Sequence, residues 1–177
     1  MQLTSPTITR TVQVGGLSKA ALLEELQRNA IALNESAEQL FASERFTTAA
    51  TRYAVVTVEL SVGALGFPQG ATTAALVARA ADYGLDRCPL ELGPHLRVQY
   101  RDQPEGYVGQ PVRQHQAPSG SITIISAPLS DDDTIPKGFY LRRINGVLWL
   151  RGYRAGVDHI WESDDQLIFV RHNRAAA

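Results

Sequence analysis

Residues 88–104 read Cys88-Pro-Leu-Glu-Leu-Gly-Pro-His-Leu-Arg-Val-Gln-Tyr-Arg-Asp-Gln-Pro104. This run separates a half with helical periodicity from a half with strand periodicity, so its conformation decides how the two meet. Pro89, Gly93 and Pro94 constrain the backbone. Pro94 biases Gly93 away from the helical region, which predicts a bend at Gly93–Pro94. From Leu96 the residues alternate: Leu96, Val98 and Tyr100 on one side, Arg97, Gln99 and Arg101 on the other. That pattern predicts a strand with one buried face. Asp102 to Gly106 reads as a turn, with Pro104 and Gly106 as breakers.

A bend here would draw Glu91, His95 and Arg97 into one concavity. An acid, a candidate base and a fixed cation in such a place can bind an anion or move a proton. The plainer reading is a Glu91–Arg97 pair that pins the bend, with His95 on the surface. The expected ligand-binding set is Glu91, Arg97, Gln99, Tyr100 and Asp102. In it Arg97 anchors an anion, Glu91 orients it or accepts a hydrogen bond, and Tyr100 forms a wall.

The run GLDRCPLELGPHLRVQYRDQPEG at 84–106 is joined by GFPQGAT at 66–72, a later Asp-Asp pair and the ending Phe169-Val-Arg171. Together these resemble a family of small uncharacterised bacterial proteins that share Cys-Pro-x-Glu-x-Gly-Pro-x-Leu-Arg-x-Gln-Tyr-x-Asp-Gln-Pro. The resemblance runs from Val55 to Arg171. It implies one coherent domain and no particular activity, although the family is sometimes labelled a helicase. It places Glu91, Arg97, Gln99, Tyr100, Asp102 and Gln103 on fixed positions and His95 on a free one.

A chain of 177 residues is long enough for one domain with a substantial core. The reading is an N-terminal arm or edge strand over 1–17 and a single domain over 18–177. Within that domain 18–84 is helical, 85–106 is the central motif and 107–177 is rich in strands. Hydrophobic content of 44% and charged content of 20% are ordinary for a globular protein. Net charge is −1, with 7 positive and 8 negative side chains in 1–88 and 10 of each in 89–177. Neither half is basic, which removes any bulk electrostatic argument for nucleic acid or an anionic membrane. The single cysteine, Cys88, excludes a disulfide framework and favours a reducing, cytoplasmic setting. Its apolar neighbours predict a buried, inert thiol. There is no apolar run long enough to span a membrane and no apolar signal core at the N-terminus.

Ile8, Val12 and Val14 alternate with polar residues, as a strand or a loose arm would. Ser18 is a candidate N-cap for a helix carrying Leu22, Leu23, Leu26, Ala30 and Leu33. Asn34 and Glu35 are expected to break it. Ser36-x-x-Gln39 then reads as a capping box for a second helix with Ala37, Leu40 and Phe41, giving a helical hairpin packed on the sheet. Arg52 to Val62 is the best strand, with Val56, Val58, Leu60 and Val62 on one face. Thr72 or Thr73 caps a third helix that ends near Tyr83, with Gly84 just beyond it. Ser121 to Ser126 predicts an internal strand and Leu167 to Arg171 a final one. Phe139–Ile144 and Val147–Tyr153 flank Asn145-Gly146, the strongest short hairpin signal, because both turn positions need positive φ. The fold expected is α+β, with N-terminal helices packed on a mainly antiparallel sheet of five or six strands.

No phosphate-binding Walker pattern, dinucleotide-binding glycine fingerprint or His-Glu-x-x-His is present. One cysteine and four scattered histidines offer no zinc spacing. No metal and no cofactor is expected. Asp131-Asp132-Asp133 reads as a solvated turn. The function expected is a cytoplasmic module that binds a small polar or anionic ligand or a protein partner. Two alternatives stand beside it. His115, His159, Lys137 and Arg142 could serve a metal-independent nuclease. Arg142, Arg143, Arg151 and Arg154, interleaved with Tyr140, Trp149 and Tyr153, could serve a nucleic-acid-binding accessory protein. The long Gly106–Gly120 loop, with Arg113 and His115, reads as a lid or a surface flap.

Overall fold

The protein is described as a computed structural model covering residues 6–106 and 117–172. Strand β1 (Ile8–Val14) leads to helix α1 (Lys19–Arg28), then β2 (Ala32–Leu33), α2 (Glu35–Ala42) and β3 (Tyr53–Ser61). A single 3-10 turn (Gly63–Leu65) precedes β4 (Ala71–Thr72), α3 (Thr73–Asp82), β5 (Leu85–Asp86) and α4 (Leu92–Gln99). The rest is strand: β6 (Ile122–Ile124), β7 (Gly138–Ile144), β8 (Val147–Tyr153), β9 (Ile160–Trp161) and β10 (Gln166–Arg171).

The α1 cap is the expected one, with the Ser18 hydroxyl accepting from the Ala21 N–H. The helix stops at Arg28, however, because Ala30 turns to φ 53°. Leu33 therefore belongs to β2 and not to the α1 stripe. The second helix is capped by Asn34, whose side chain accepts from Ala37 N–H. Asn34 thus starts α2, and the Ser36–Gln39 capping box does not form. Thr72 caps α3 and Gly84 follows it at φ 69°, both as the sequence predicts. The Asn145-Gly146 hairpin forms with φ of 51° and 77°, pairing Gly138–Ile144 with Val147–Tyr153 along their whole length.

The main sheet runs β1-β3-β10-β6-β7-β8-β2, with β5 also paired to β10, which makes eight strands. Its seven pairings among the described residues differ in sense. β1–β3, β3–β10, β5–β10, β6–β7 and β7–β8 are antiparallel, while β10–β6 and β2–β8 are parallel. A separate two-stranded sheet joins β4 to β9. The architecture is mixed α+β as expected, but the main sheet is larger than five or six strands. The additions, β2 and β5, have two residues each, too short to leave a period in the sequence.

The sheet is walled on both faces. On one, Val12, Val14, Ile168, Leu141 and Leu150 pack with Leu22, Leu26, Leu40 and Leu92 of α1, α2 and α4. On the other, Val58, Leu60, Leu167 and Phe169 pack with Leu76 and Ala80 of α3 and with Trp161. Successive residues of a strand point to opposite faces, so the centrally placed β10 contributes to both cores. Helices on both sides exclude water from its backbone pairing and from its side chains alike.

The central motif departs from expectation. Residues 92–99 form helix α4, with Gly93 and Pro94 inside its first turn. Proline is tolerated there because the first turn's N–H groups have no intrahelical partner in any case. The apparent alternation from Leu96 arises because Leu92 through Arg97 are all buried. A helix buried on every side loses its polar face, and its sequence no longer shows the helical period. Gly93 permits the close packing: a Cβ there would lie 2.6 Å from Phe139 Cδ2.

Candidate functional site

Helix α4 distributes its polar residues among three directions. Glu91, at the helix entrance, is buried. Both its carboxylate oxygens accept from the Ala49 N–H at 3.2 Å, and one accepts from the Tyr53 hydroxyl at 3.1 Å. Burial, reinforced by the Glu91 charge, pushes the Tyr53 phenol up to about 12. One turn along, His95 Nε2 lies 4.0 Å from Glu91 Oε2. The same Nε2 accepts from the Gly15 N–H at 3.1 Å. That bond fixes the tautomer: Nε2 is bare, so the neutral ring carries its proton on Nδ1. Burial, then the positive charge of Arg52, hold His95 below its ordinary 6.5. Nδ1–H has no hydrogen-bond partner among the described residues.

Gln99 continues the face of His95 by one more turn. Its Oε1 accepts from Gln13 N–H at 3.0 Å and its Nε2 donates to Gln13 C=O at 2.7 Å. The same Nε2 donates to His95 C=O at 3.0 Å.

Arg97 points elsewhere. It is completely buried at 0% exposure. Its Nη1 donates to Gln103 Oε1 at 2.5 Å and its Nη2 to the Tyr100 C=O, while Nε has no partner. No carboxylate pairs with it among the described residues. Burial, with the nearby Arg143 charge adding to it and Tyr100 opposing, brings the guanidinium down to about 10, so it remains charged at neutral pH. Gln103 is buried beside it and donates to Gly120 C=O at 3.0 Å and Leu141 C=O at 3.2 Å. Arg97 and Gln103 thus tie α4 to β7 and to the chain at Gly120.

The predicted concavity is therefore only half formed. Glu91 and His95, four residues apart, share a helix face, but Arg97 lies off that face. Arg97 is a structural tie and not an accessible anion anchor, and the Glu91–Arg97 pair does not form. Tyr100 is half-buried, with the Arg10 guanidinium 4.0 Å from its ring centroid, and Arg10 in turn pairs with Glu59 at 2.6 Å. Asp102 is exposed.

The face of α4 that carries His95 and Gln99 lines a cavity of about 370 Å³ between β1, α1 and α4. Leu17, Leu22 and Val98 supply apolar wall, and Arg52 stands at the rim. Glu25 also borders it, but its charge is paired with Arg28 at 3.4 Å. Arg52 and Gly15 are the site residues that sequence reasoning missed. Arg52 lies just before β3, and nothing in its local sequence separates it from any exposed arginine.

The residues expected of a nuclease are scattered or occupied. His115 and Arg113 lie outside the described residues, as does most of the Gly106–Gly120 loop. Lys137 is held by the acidic turn: it donates to the Ser130 and Asp132 carbonyls at 2.9 Å and pairs with Asp133 at 3.6 Å. The turn itself is exposed, with Asp132 accepting from the Thr134 N–H and hydroxyl. Those bonds hold its carboxyl below the usual range. His159 stacks edge-on to Trp161 at 4.6 Å. Arg142 lies opposite Trp149 on the hairpin.

Among the described residues no cluster of three or more His, Cys, Asp or Glu could hold a metal, and no helix is long and apolar enough to cross a membrane. Cys88 is buried and its thiol, raised by that burial, contacts the Ile168 C=O at 3.4 Å. Comparison of the chain with protein-family models, with curated proteins and with solved structures gives no match.

Proposed function

We propose that the protein is a non-catalytic binding module for a small organic anion, a monocarboxylate with a short apolar body, held between β1, α1 and α4. The observation that supports this reading is the state of His95. Its Nε2 is committed to Gly15, which leaves the Nδ1–H without a hydrogen-bond partner among the described residues, on a histidine that lines an otherwise largely apolar cavity. A donor in that state gains from an acceptor that excludes water around it. Arg52, exposed at the rim, adds a cation that a carboxylate can meet at the same time. The size and the balance of apolar wall to a few polar groups are those of a small-molecule site. Binding is favoured over catalysis because the bare nitrogen of His95 is occupied and Glu91 is spent on Ala49 and Tyr53.

Calorimetric titration with short aliphatic and aromatic monocarboxylates tests the reading. Saturable binding is expected, weakened about tenfold or more in Arg52→Ala by loss of a charge-assisted hydrogen bond. It should be abolished in Val98→Phe, which fills the cavity from its apolar wall. Equal affinity in both variants, or no carboxylate binding to the parent protein, refutes it.

A further inference from the structure

The β7–β8 hairpin carries a second constellation on the opposite face of the sheet from the carboxylate cavity. Across the two strands Tyr140 stands opposite Arg151, and Arg142 opposite Trp149. Cation and ring thus alternate in both directions, in a two-by-two block. The Arg151 guanidinium lies 5.0 Å from the Trp149 ring centroid and 5.9 Å from that of Tyr140. All four side chains are half-buried. Neither Arg142 nor Arg151 pairs with a carboxylate among the described residues, and the Nε of each is buried without a hydrogen bond. Arg151 between two rings and Arg142 at the neighbouring register position, neither paired with a carboxylate among the described residues, make a local positive site in a chain whose net charge is −1.

One corner of the block, Tyr140, lines a cavity of about 290 Å³ together with Tyr153, His159, Trp161 and Arg154. No carboxylate among the described residues lines it. Its aromatic wall is set in place: Trp161 donates to the Thr73 hydroxyl at 2.8 Å and meets Tyr153 edge-on at 5.6 Å. Arg154 uses one nitrogen on Gln39 Oε1, and its guanidinium has further donors to offer. Tyr140 belongs both to the cavity and to the block, and Arg142 follows it two strand steps, about 7 Å, along β7.

We propose that this face is a second binding site, for a phosphate-bearing flat ring: a nucleotide, either free or within single-stranded nucleic acid. Rings of every base present a π-face to Tyr140 and Trp149, and arginine forks match phosphate oxygens. A plain carboxylate would use only the cations, and an apolar peptide only the rings. The absence of an overall positive charge restricts recognition to this patch and excludes broad coating of a duplex.

The test uses the full chain at low salt, with mononucleotides followed by calorimetry and fluorescently labelled single-stranded DNA and RNA oligomers followed by anisotropy. Binding is expected, falling as salt rises. The Arg142→Gln/Arg151→Gln double variant should bind at least about tenfold more weakly, and so should Trp149→Leu. Arg52→Ala, which bears on the carboxylate cavity alone, should leave nucleotide binding unchanged, so the two sites can fail independently. An oligomer that binds much more tightly than a mononucleotide identifies the ligand as a strand; equal affinities identify it as a free nucleotide. Absence of binding in both arms, or binding undiminished in the double variant and in Trp149→Leu, overturns the proposal. If the double variant melts below the assay temperature, Arg151→Gln alone and Trp149→Leu decide it.

Discussion

The side-chain amide of Gln99 pairs with the backbone of Gln13 in both directions, accepting at 3.0 Å and donating at 2.7 Å. Gln13 lies in β1, the outermost strand on its side of the sheet. An unpaired strand edge is a template for association, and here a helix supplies the missing partner from a single amide. The N–H of Gly15, two residues on, goes to His95 from the adjacent turn of α4. The other side of the sheet repeats the device. Asn34 directly follows β2 and accepts from Gly152 N–H at 2.8 Å while donating to Gly152 C=O at 3.1 Å. It therefore prolongs the two-residue pairing of β2 with β8 while capping α2.

Substitution of Gln99 separates the amide's two halves. Gln99→Ala returns both Gln13 groups to water at this exposed edge and should cost about 1 kcal/mol. Gln99→Glu keeps an acceptor for the Gln13 N–H but sets a carboxylate against the Gln13 carbonyl. It is expected to be less stable than Gln99→Ala at neutral pH and to recover as the carboxyl protonates. Urea denaturation of the three proteins at two pH values checks this. If Gln99→Glu is as stable as the parent protein, the two-way pairing is not what holds this edge.

Elements with a local signature were legible in the sequence: the Asn145-Gly146 hairpin, the α1 and α3 caps, and β3. Each is decided by residues within a few positions of one another. The central helix was not, because its signal is tertiary. With α1, β1 and β7 all packed on it, α4 buries His95 and Arg97 together with its leucines, and the remaining pattern imitates a strand. The same misreading misdirected the site. A bend at Gly93–Pro94 would gather Glu91, His95 and Arg97 into one concavity; in the helix only the first two share a face. Arg52 could not be read at all, since its place at the cavity depends on the β1–β3 pairing and on α4 crossing that edge.

Arg97 should behave as a structural residue. Arg97→Ala removes a wholly buried side chain and strands Gln103 Oε1 and the Tyr100 carbonyl, at a cost of about 3 kcal/mol or more. Arg97→Met retains most of the volume and removes an uncompensated buried charge, which offsets part of the lost hydrogen bonding. Arg97→Met should therefore be clearly more stable than Arg97→Ala in equilibrium denaturation, with monocarboxylate affinity equal to that of the parent. A well-folded Arg97→Ala that has lost ligand affinity would instead restore Arg97 as an anion anchor.

Cys88 should report global opening. Its side chain is 3% exposed and burial raises its thiol, so thiolate is scarce and reagents have no path to it. Under native conditions its labelling by a thiol reagent should proceed only as fast as the whole domain opens. The labelling rate should then rise with denaturant in proportion to the unfolded population. Rapid labelling without denaturant would mean that the contact of Cys88 with Ile168 of β10 opens locally.

Two groups give the stability a pH dependence of opposite sign. His95 is held below its ordinary 6.5 in the folded chain. Below 6.5 the unfolded chain therefore binds more protons, and stability falls until the folded His95 also takes one. Asp165, raised from 3.8 to about 6 chiefly by burial, acts the other way. Between those values the folded chain holds the extra proton, so stability declines as pH rises through that window and stays lower above it. Asp165→Asn removes the second effect and keeps an acceptor for the Glu162 N–H, which Asp165 Oδ2 now receives at 2.8 Å. The variant should be more stable than the parent at pH 7, and its stability should fall more steeply on acidification through pH 6, where only the His95 effect remains. Adding His95→Gln to it should flatten that fall. An Asp165→Asn protein less stable than the parent at pH 7 would show that the carboxylate is better solvated, or better paired, than its burial between Glu162 and Asp164 implies.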